Sequence, residues 1–413
     1  MKITRLLTTL LGTQLFIASG CGPAETTAQG SGLAVLAESA DAYAQARPGQ
    51  PLIFPRDHGP HPDFRIEWWY LTANLRDPAG SRYGAQWTLF RLAVQPQRTI
   101  ETGSISQKNN QVFMAHMAIT TPTRHLSFQR YARSAKRISE SRAGITAQPF
   151  SAWLDDWNLR STGDDWLPLA VSARQADNAI QLKLQSTAPL ILQGDAGFSA
   201  KHADGGGSYY YSQPFLKASG HLTIAGQVVP VTGDAWLDRE WSSQFLQREQ
   251  VGWDWFSLHL ESGEKLMLFQ VRRQPGQVGT ENFLYGNLMK PDGSATPLDP
   301  GQINLTPLRK SRVAGRSLPL HWRVLLPQIG REFEIQTEVS DQLMDVDFPY
   351  WEGVVIVSGS GPGNRGEGYM ELTGYPPETS TDPRNIIYIF GETKRITKHG
   401  INSLEGIWTV CRS

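Results

Sequence analysis

The stretch Ile66–Ala73, IEWWYLTA, constrains the fold of this chain more than any other segment. It is rich in aromatic and β-branched residues, which favour β-strands. Side chains alternate between the two faces of a strand, so Glu67 and Trp69 share one face while Trp68 and Tyr70 share the other. Both faces are largely apolar, which predicts a strand that is covered on both sides or lines a cavity inside a barrel.

Glu67 is the unusual residue of this strand, because a carboxylate beside two tryptophans must be paired, hydrated or protonated. One interpretation is catalytic. The other is structural, an ion pair with an arginine on a neighbouring strand. Arg91 is the candidate partner, since it lies on the face of Trp87 and Leu89 in the next predicted strand.

The composition indicates a mostly antiparallel β protein with a large core. The 413 residues include 39 Gly, 26 Pro and 13 Trp, and apolar residues often alternate with polar ones. Basic and acidic residues number 39 each, so the formal net charge is zero. A nucleic-acid partner would need a basic face, and we predict none.

The N-terminus resembles a bacterial lipoprotein signal. Lys2 and Arg5 precede an apolar segment that ends at Ala18-Ser19-Gly20-Cys21. We predict that residues 1–20 are removed and that Cys21 carries a lipid. Gly22, where Asp would retain the protein in the inner membrane, predicts a lipid anchor in the outer membrane and a protein facing the periplasm. An ordinary secretory signal and an uncleaved anchor are the alternatives.

Asp238 is the strongest candidate for a general acid. It lies in Gly233–Trp241, on one strand face with Trp236 and Glu240. Packing by tryptophans would raise the pKa of this carboxyl group, as acid catalysis requires. The alternative is a charged network that closes the junction between two domains.

Two histidines on apolar strand faces are further candidates. His116 shares a face with Met114, and His259 shares one with Trp255. Each is either a hydrogen-bonded core residue or an acid, base or donor that lines a cavity. The run Tyr209–Tyr211 follows three glycines and predicts either a ligand rim or a packed strand.

These patterns give one set of candidates for chemistry and one for binding. The candidate catalytic residues are Asp238, Glu67, His116 and His259. The candidate ligand-binding residues are Trp68, Trp69, Tyr70, Tyr210, Trp236, Trp241 and Trp255.

The sequence contains none of the common catalytic signatures. G-x-S-x-G, H-E-x-x-H, Walker and C-x-x-C motifs are absent. His58, His61 and Asp63 have a spacing that zinc could use. Three prolines and a glycine indicate that the segment is a loop rather than a metal site. We predict neither a metal nor a cofactor.

Four motifs together resemble the AttH-type secreted proteins, often labelled predicted secreted hydrolases and related to carotenoid 1,2-hydratases (hydroxyneurosporene synthases). The motifs are Glu67–Tyr70, Tyr209–Ser212, Asp234–Trp241 and Gly368–Tyr375. The resemblance covers roughly residues 52–413. It implies an all-β fold of two tandem lipocalin-like antiparallel β-barrel domains.

The domain boundaries follow from this reading. Residues 21–50, rich in Ala, Gly, Gln and Thr, predict a tether. The N-terminal domain is then 51–230 and the C-terminal domain 231–413. Cys411 has no partner if Cys21 is lipidated, which predicts no disulfide.

The hydratase relatives protonate a carbon–carbon double bond of a polyene and add water to the cation, which requires a protonated acid in an apolar tunnel. Their pattern places an Asp-His pair before the tryptophan of the central motif, whereas this chain reads Asp238, Arg239, Glu240, Trp241. They also use a later acid, where this chain has Leu266–Phe269. Both departures argue against carotenoid hydration.

Three functions remain open. The favoured one is an envelope lipoprotein that holds an apolar or amphipathic small molecule in a barrel calyx. The second is an enzyme of the hydratase, hydrolase or isomerase type that acts on such a molecule by carboxylate acid–base chemistry. The third is a structural partner of an envelope complex.

Overall fold

The structure is a computed structural model. It describes residues 42–94, 96, 111–135, 141–186, 188–202, 205–244, 246, 249–274 and 281–378. Cys21, Cys411, the signal segment and most of the tether lie outside these residues, so lipidation and outer-membrane anchoring stay predictions. In the described ranges no helix is long and apolar enough to cross a membrane.

The first sheet is antiparallel and contains thirteen of the strands in the described residues. Along the sheet the strands follow the order β4-β3-β2-β1-β13-β12-β9-β8-β7-β6-β5, and β10 and β11 pair with β12. The bounds are β1 Ile66–Arg76, β2 Arg82–Ala93, β3 Gln111–Thr120, β4 His125–Arg133, β5 Ala143–Ala147, β6 Phe150–Leu154, β7 Trp157–Ser161, β8 Leu169–Gln175, β9 Asn178–Gln185, β10 Ile191–Leu192, β11 Phe198–Ala200, β12 Gly207–Ile224 and β13 Gln227–Ser242.

The second sheet is also antiparallel, with ten strands in the same part of the chain. Its order is β17-β16-β15-β14-β23-β22-β20-β19-β18, and β21 pairs with β22. The bounds are β14 Gln250–Leu260, β15 Lys265–Arg273, β16 Phe283–Met289, β17 Ala295–Pro297, β18 Asn304–Val313, β19 Arg316–Leu326, β20 Arg331–Gln336, β21 Leu343–Met344, β22 Tyr350–Gly359 and β23 Gly366–Leu372. Short 3-10 turns are present at Arg56–His58, Pro300–Gln302, Pro327–Ile329 and Pro362–Asn364.

The all-β prediction with two antiparallel barrel domains is confirmed. The boundary near Val231, however, falls inside β13, which pairs with β1 from Thr232 to Ser242. The chain changes from the first sheet to the second between Ser242 and Gln250. The Asp234–Trp241 motif therefore belongs to the first domain.

Strand β1 lies in the middle of the first sheet, between β2 and β13. Trp69 and Leu71 point into the core of the first domain, which strands from all around the sheet fill with apolar side chains. Tyr70, on the opposite face, packs against Trp255 of the second sheet. The predicted strand covered on both sides is therefore present, and the barrel interior is occupied by side chains.

The second domain has an apolar core of its own, and a third cluster joins the two domains. Phe256 and Leu258 of β14 face the core of the second domain. Trp255, on the other face of β14, belongs to the joining cluster together with Tyr70, Tyr210 and Trp236 of the first sheet. The two barrels thus meet through their outer faces, and we call the side chains between them the interdomain layer.

Candidate functional site

The interdomain layer brings together ionisable residues from distant parts of the sequence. From the first sheet it receives alternate residues of β1, β3, β12 and β13, and from the second sheet alternate residues of β14, β15, β22 and β23. The strand registers place the following titratable side chains on the facing surfaces: Tyr70, His116, Tyr210, Asp238, Glu240, His259, Lys265, Tyr350, Glu352, Tyr369 and Glu371.

Asp238 lies in this layer within a cage of donors. The hydroxyl of Tyr210 donates to its Oδ2 at 2.7 Å, and Ser212 and the indole of Trp236 donate to its Oδ1 at 2.5 and 2.7 Å. Trp255 donates from the second domain to the oxygen of Tyr210 at 3.3 Å. Burial raises the pKa of Asp238 to about 7, although the three donors oppose the shift.

A pair of glutamates lies on the side of the interdomain layer that the second domain supplies. Glu352 of β22 and Glu371 of β23 are directly opposite each other in the antiparallel register, which places their Cβ atoms about 5 Å apart. Burial, and then repulsion by Glu371, raises the pKa of Glu352 well above its ordinary value. Burial also raises the pKa of Glu371 to about 7, while Thr373 and Trp253 each donate to its Oε1 at 3.0 Å.

The two glutamates differ in hydrogen bonding. Within the described residues neither carboxyl oxygen of Glu352 has a partner of normal hydrogen-bond geometry. The hydroxyls of Tyr70 and Tyr350 are its nearest donors and moderate the rise in its pKa. Two neighbouring carboxyls whose surroundings differ in this way provide one protonated acid and one group able to accept a proton.

His116 is connected to Glu352 by way of the Tyr350 hydroxyl. A hydrogen bond of 2.9 Å joins His116 Nδ1 to the Tyr350 hydroxyl. His116 Nε2 is buried and has no partner among the described residues. Burial lowers the pKa of His116 to about 3, so its imidazole is neutral.

His259 lies farther along the same layer. Its ring is 4% exposed and packs edge-on against Trp236, with the ring centres 6.0 Å apart. Neither ring nitrogen has a hydrogen-bond partner in the described part of the chain. Burial, and then the positive charges of Lys265 and Lys217, hold the pKa of His259 well below its ordinary value.

The proposed ligand-binding residues divide between two places. Tyr70, Tyr210, Trp236 and Trp255 lie in the interdomain layer, and half-buried Trp68 packs against this cluster from its edge. Trp69 and Trp241 face the other way, where the guanidinium of Arg239 lies 3.8 and 4.8 Å from their ring centres. A ligand that contacts Trp69 and Trp241, as predicted, would have to bind at a second site on that side of the sheet.

Glu67 also lies on that other side. It is fully buried and forms ion pairs with Arg91 and Arg239, both of which are also fully buried. Burial alone would raise its pKa, but these two guanidinium groups hold it well below the ordinary value. The predicted pair with Arg91 is present, and the catalytic role of Glu67 stays a prediction.

The loop histidines support this buried network and do not converge on one point. His61 stacks on Trp241 at 3.9 Å, and its backbone N–H donates to both oxygens of Glu67 at 3.1 Å. His58 stacks on Trp166 and forms a hydrogen bond of 2.7 Å with the hydroxyl of Tyr211. The described residues contain no group of three or more His, Cys, Asp and Glu side chains arranged to hold a metal ion.

The sequence profile of AttH-like proteins matches residues 45–375. This chain belongs to the AttH-like family. The crystal structure of a Nitrosomonas europaea protein described as AttH is similar to it, with 36% identity, a TM-score of 0.69, and coverage of 80% of this chain and 99% of that one. The resemblance inferred from the four motifs is thereby confirmed.

The AttH-like fold also occurs in an enzyme. Kievitone hydratase from Nectria haematococca has a TM-score of 0.57 with this chain at 16% identity, covering 80% of this chain and 96% of the hydratase. At that identity the similarity shows a shared fold. No curated protein matches this AttH-like sequence significantly.

Glu352, Glu371 and Tyr350 were not among the candidate site residues predicted from the sequence of this AttH-like protein. Glu371 was visible only as part of the Gly368–Tyr375 motif, where alternation already placed it on one face with Tyr369. Its pairing with Glu352 depends on the register of β22 and β23. No local pattern in either strand gives that register.

The raised pKa values predict an unusual pH dependence of stability. The folded protein keeps protons on Asp238 and Glu371 up to about pH 7, whereas the unfolded chain loses them near pH 4. The free energy of unfolding contributed by these groups should therefore fall as pH rises from about 4 to 7. Urea unfolding across this range should show a weaker fall for Asp238→Asn and Glu371→Gln than for the wild type, and identical slopes would contradict the assignment.

Proposed function

We propose that this AttH-like protein is a hydratase-type enzyme, and that it adds water to a carbon–carbon double bond of an apolar or amphipathic small molecule between its two barrels. The single observation that carries the proposal is the opposed pair Glu352 and Glu371, buried among aromatic side chains. Hydration of an alkene needs a carboxylic acid that stays protonated near neutral pH and a neighbouring base.

The roles follow from the surroundings of the two carboxyls. Glu352, without a strong donor, gives its proton to one carbon of the double bond. As the π bond breaks, the oxygen of water bonds to the other carbon, and Glu371 accepts the proton that water releases. Transfer of that proton from Glu371 to Glu352 restores the starting state, and the net change is the addition of one water molecule.

Neighbouring side chains support the two glutamates. The hydroxyls of Tyr70 and Tyr350 lie beside Glu352, and His116 fixes the Tyr350 hydroxyl by a hydrogen bond of 2.9 Å. The indoles of Trp236 and Trp255 lie close to the Asp238 cage, with their ring centres 6.3 Å apart. Aromatic faces of this kind pack against an apolar substrate and stabilise positive charge that develops on carbon.

The test uses labelled water, because the substrate can then be found without being known. Purified protein is incubated in H₂¹⁸O with a solvent extract of the cells that produce it, and mass spectrometry follows every molecule that gains labelled oxygen. A hydratase gives one product heavier than its substrate by one labelled water. Two fragments that together contain the labelled water would indicate a hydrolase, and no labelled product beyond the protein-free control would contradict an enzyme.

A binding protein is the second candidate, and the aromatic interdomain layer is the observation that favours it. Such a protein would release one abundant apolar molecule on solvent extraction and would form no labelled product. Asp238→Asn should then change ligand retention little, whereas Trp236→Ala should reduce it strongly, because the indole supplies the contact area.

A further inference from the structure

The far end of the interdomain layer, around His259, contains buried polar groups that the proposed hydration does not use. On the second sheet His259 lies between Lys265 of β15 and Glu367 of β23, its direct neighbours in the two ladders. Ser257 points to the same face two residues earlier on β14. Thr72 of β1 lies opposite Trp236, the residue whose indole packs on the His259 ring. We call these residues the His259 end.

Several atoms of the His259 end lack hydrogen bonds although water cannot reach them freely. His259, Ser257 and Thr72 are at most 4% exposed. Both ring nitrogens of His259 and the hydroxyls of Ser257 and Thr72 have no partner in the described ranges. Buried polar atoms in folded proteins nearly always have a partner, so a group from outside the chain is expected to supply hydrogen bonds here.

The charges at this end favour an anionic group. Lys265 is 5% exposed, and its closest carboxylate oxygen, Asp234 Oδ1, is 3.9 Å away and accepts a hydrogen bond from Lys217 at 2.5 Å. Glu367, the other nearby carboxylate, is paired with Arg76 at 2.5 Å. Both carboxylates are therefore already engaged by other cations, and the buried ammonium of Lys265 has only a long ion pair, with Asp234 at 3.9 Å.

We propose that the His259 end binds the carboxylate head group of an amphipathic ligand. The ammonium of Lys265 supplies the opposite charge, and a ring N–H of His259 and the hydroxyls of Ser257 and Thr72 donate to the carboxylate oxygens. Charge-assisted hydrogen bonds of this kind are stronger than neutral ones. This assigns His259 to binding and leaves proton transfer to the glutamates.

The position of this end relative to the glutamates defines the ligand further, and this part of the inference rests on the proposed function. Glu371 follows Glu367, the neighbour of His259, by four residues on β23, which is about 13 Å along a strand. On the same face of β23 Tyr369 lies between Glu367 and Glu371, and Trp255 of β14 pairs with Glu371. The substrate class is therefore a long-chain unsaturated carboxylic acid with its double bond far from its head group.

The experiment compares two probes that differ only in the head group. Decanoate and decanol are titrated separately into the full-length protein in a calorimeter near neutral pH. We expect the wild type to bind decanoate about tenfold more tightly than decanol, as one charge-assisted contact would provide. Lys265→Met should remove that preference without weakening decanol, whereas Lys183→Met, which removes an exposed charge from β9, should leave the preference unchanged.

A second measurement tests the same site in the unchanged protein. Burial, opposed in part by Asp234, lowers the pKa of Lys265 to about 8. Raising the pH through that value should therefore remove the preference for decanoate in the wild type. The charged groups around Lys265 are Asp234, Glu367, Lys217 and Arg76, and the fifth titratable neighbour, His259, stays neutral.

The outcomes separate this inference from the proposed function. Equal affinity for the two probes, no binding of either, or a preference that survives both Lys265→Met and the rise in pH would overturn the carboxylate site. The labelled-water experiment does not depend on the head group. A labelled product together with equal probe affinities would refute the carboxylate site and support the hydratase. A preference for decanoate without any labelled product would support the carboxylate site and contradict the hydratase.

Discussion

Glu352→Gln should abolish hydration while the protein stays folded. The amide has the shape of the carboxyl group but has no acidic proton to give to carbon, and losing a general acid typically reduces turnover by about 10²–10⁴-fold. Glu352 is 1% exposed and burial raises its pKa well above the ordinary value, so the folded protein favours the neutral form of the carboxyl group, which Gln resembles in charge. Formation of the labelled product should be compared with the wild type.

The matched control is Glu332→Gln, on the exposed surface of the same domain, where the carboxylate pairs with Arg323. It should keep wild-type turnover, since an exposed pair is remote from the interdomain layer. Ligand retention by Glu352→Gln should also be preserved, which separates a lost reaction from a lost fold. Unchanged turnover in Glu352→Gln would exclude it as the proton donor.

Glu67→Gln should be the most destabilising single substitution among the charged residues discussed above. It leaves Arg91 and Arg239, both fully buried, without the carboxylate that they share. Removing one partner of a buried ion pair typically lowers the free energy of unfolding by about 3–5 kcal/mol, because the other charge remains buried without a partner. The free energy of unfolding from denaturant titration measures the loss.

The stabilisation that Glu67 contributes depends on pH with the opposite sign to that of Asp238 and Glu371, the carboxyl groups with raised pKa values. The pKa of Glu67 is lowered in the folded protein, so its stabilisation is complete above the ordinary pKa and is lost as the pH falls toward the folded value. The difference between the wild type and Glu67→Gln should therefore shrink in acid below about pH 4. Asp155→Asn, at an exposed pair with Arg142, should cost at most about 1 kcal/mol. A loss for Glu67→Gln no larger than this would contradict the buried network.

The comparison of Glu67 with Asp238 shows how far sequence reasoning extends. The alternation within Ile66–Ala73 and within the next strand placed Glu67 and Arg91 on one face, and the structure confirms their ion pair. The same alternation placed Asp238 with Trp236, and their hydrogen bond is 2.7 Å long. Such predictions succeed because side-chain direction in a strand is fixed by a period of two residues.

The domain boundary is a feature that local sequence patterns do not predict. The ordinary size of a barrel domain placed it near Val231, but β13 continues to Ser242 in the first sheet, where it is paired with β1 from Thr232 onward. Strand pairing of this kind joins residues far apart in the chain, and only the folded register reveals it. The Tyr209–Tyr211 run, by contrast, follows the two-residue alternation, with Tyr210 in the interdomain layer and Tyr209 and Tyr211 in a separate cluster.

Local sequence patterns were sufficient to predict the all-β class, the family, the two-sided burial of β1 and the faces on which its candidate residues lie. Tertiary structure alone decided that the outer faces of the two barrels meet and that Glu352 lies opposite Glu371 in the layer between them. The physical reason is that alternation is a local property of the chain. The raised pKa of a carboxyl, by contrast, depends on which distant side chains exclude water from it.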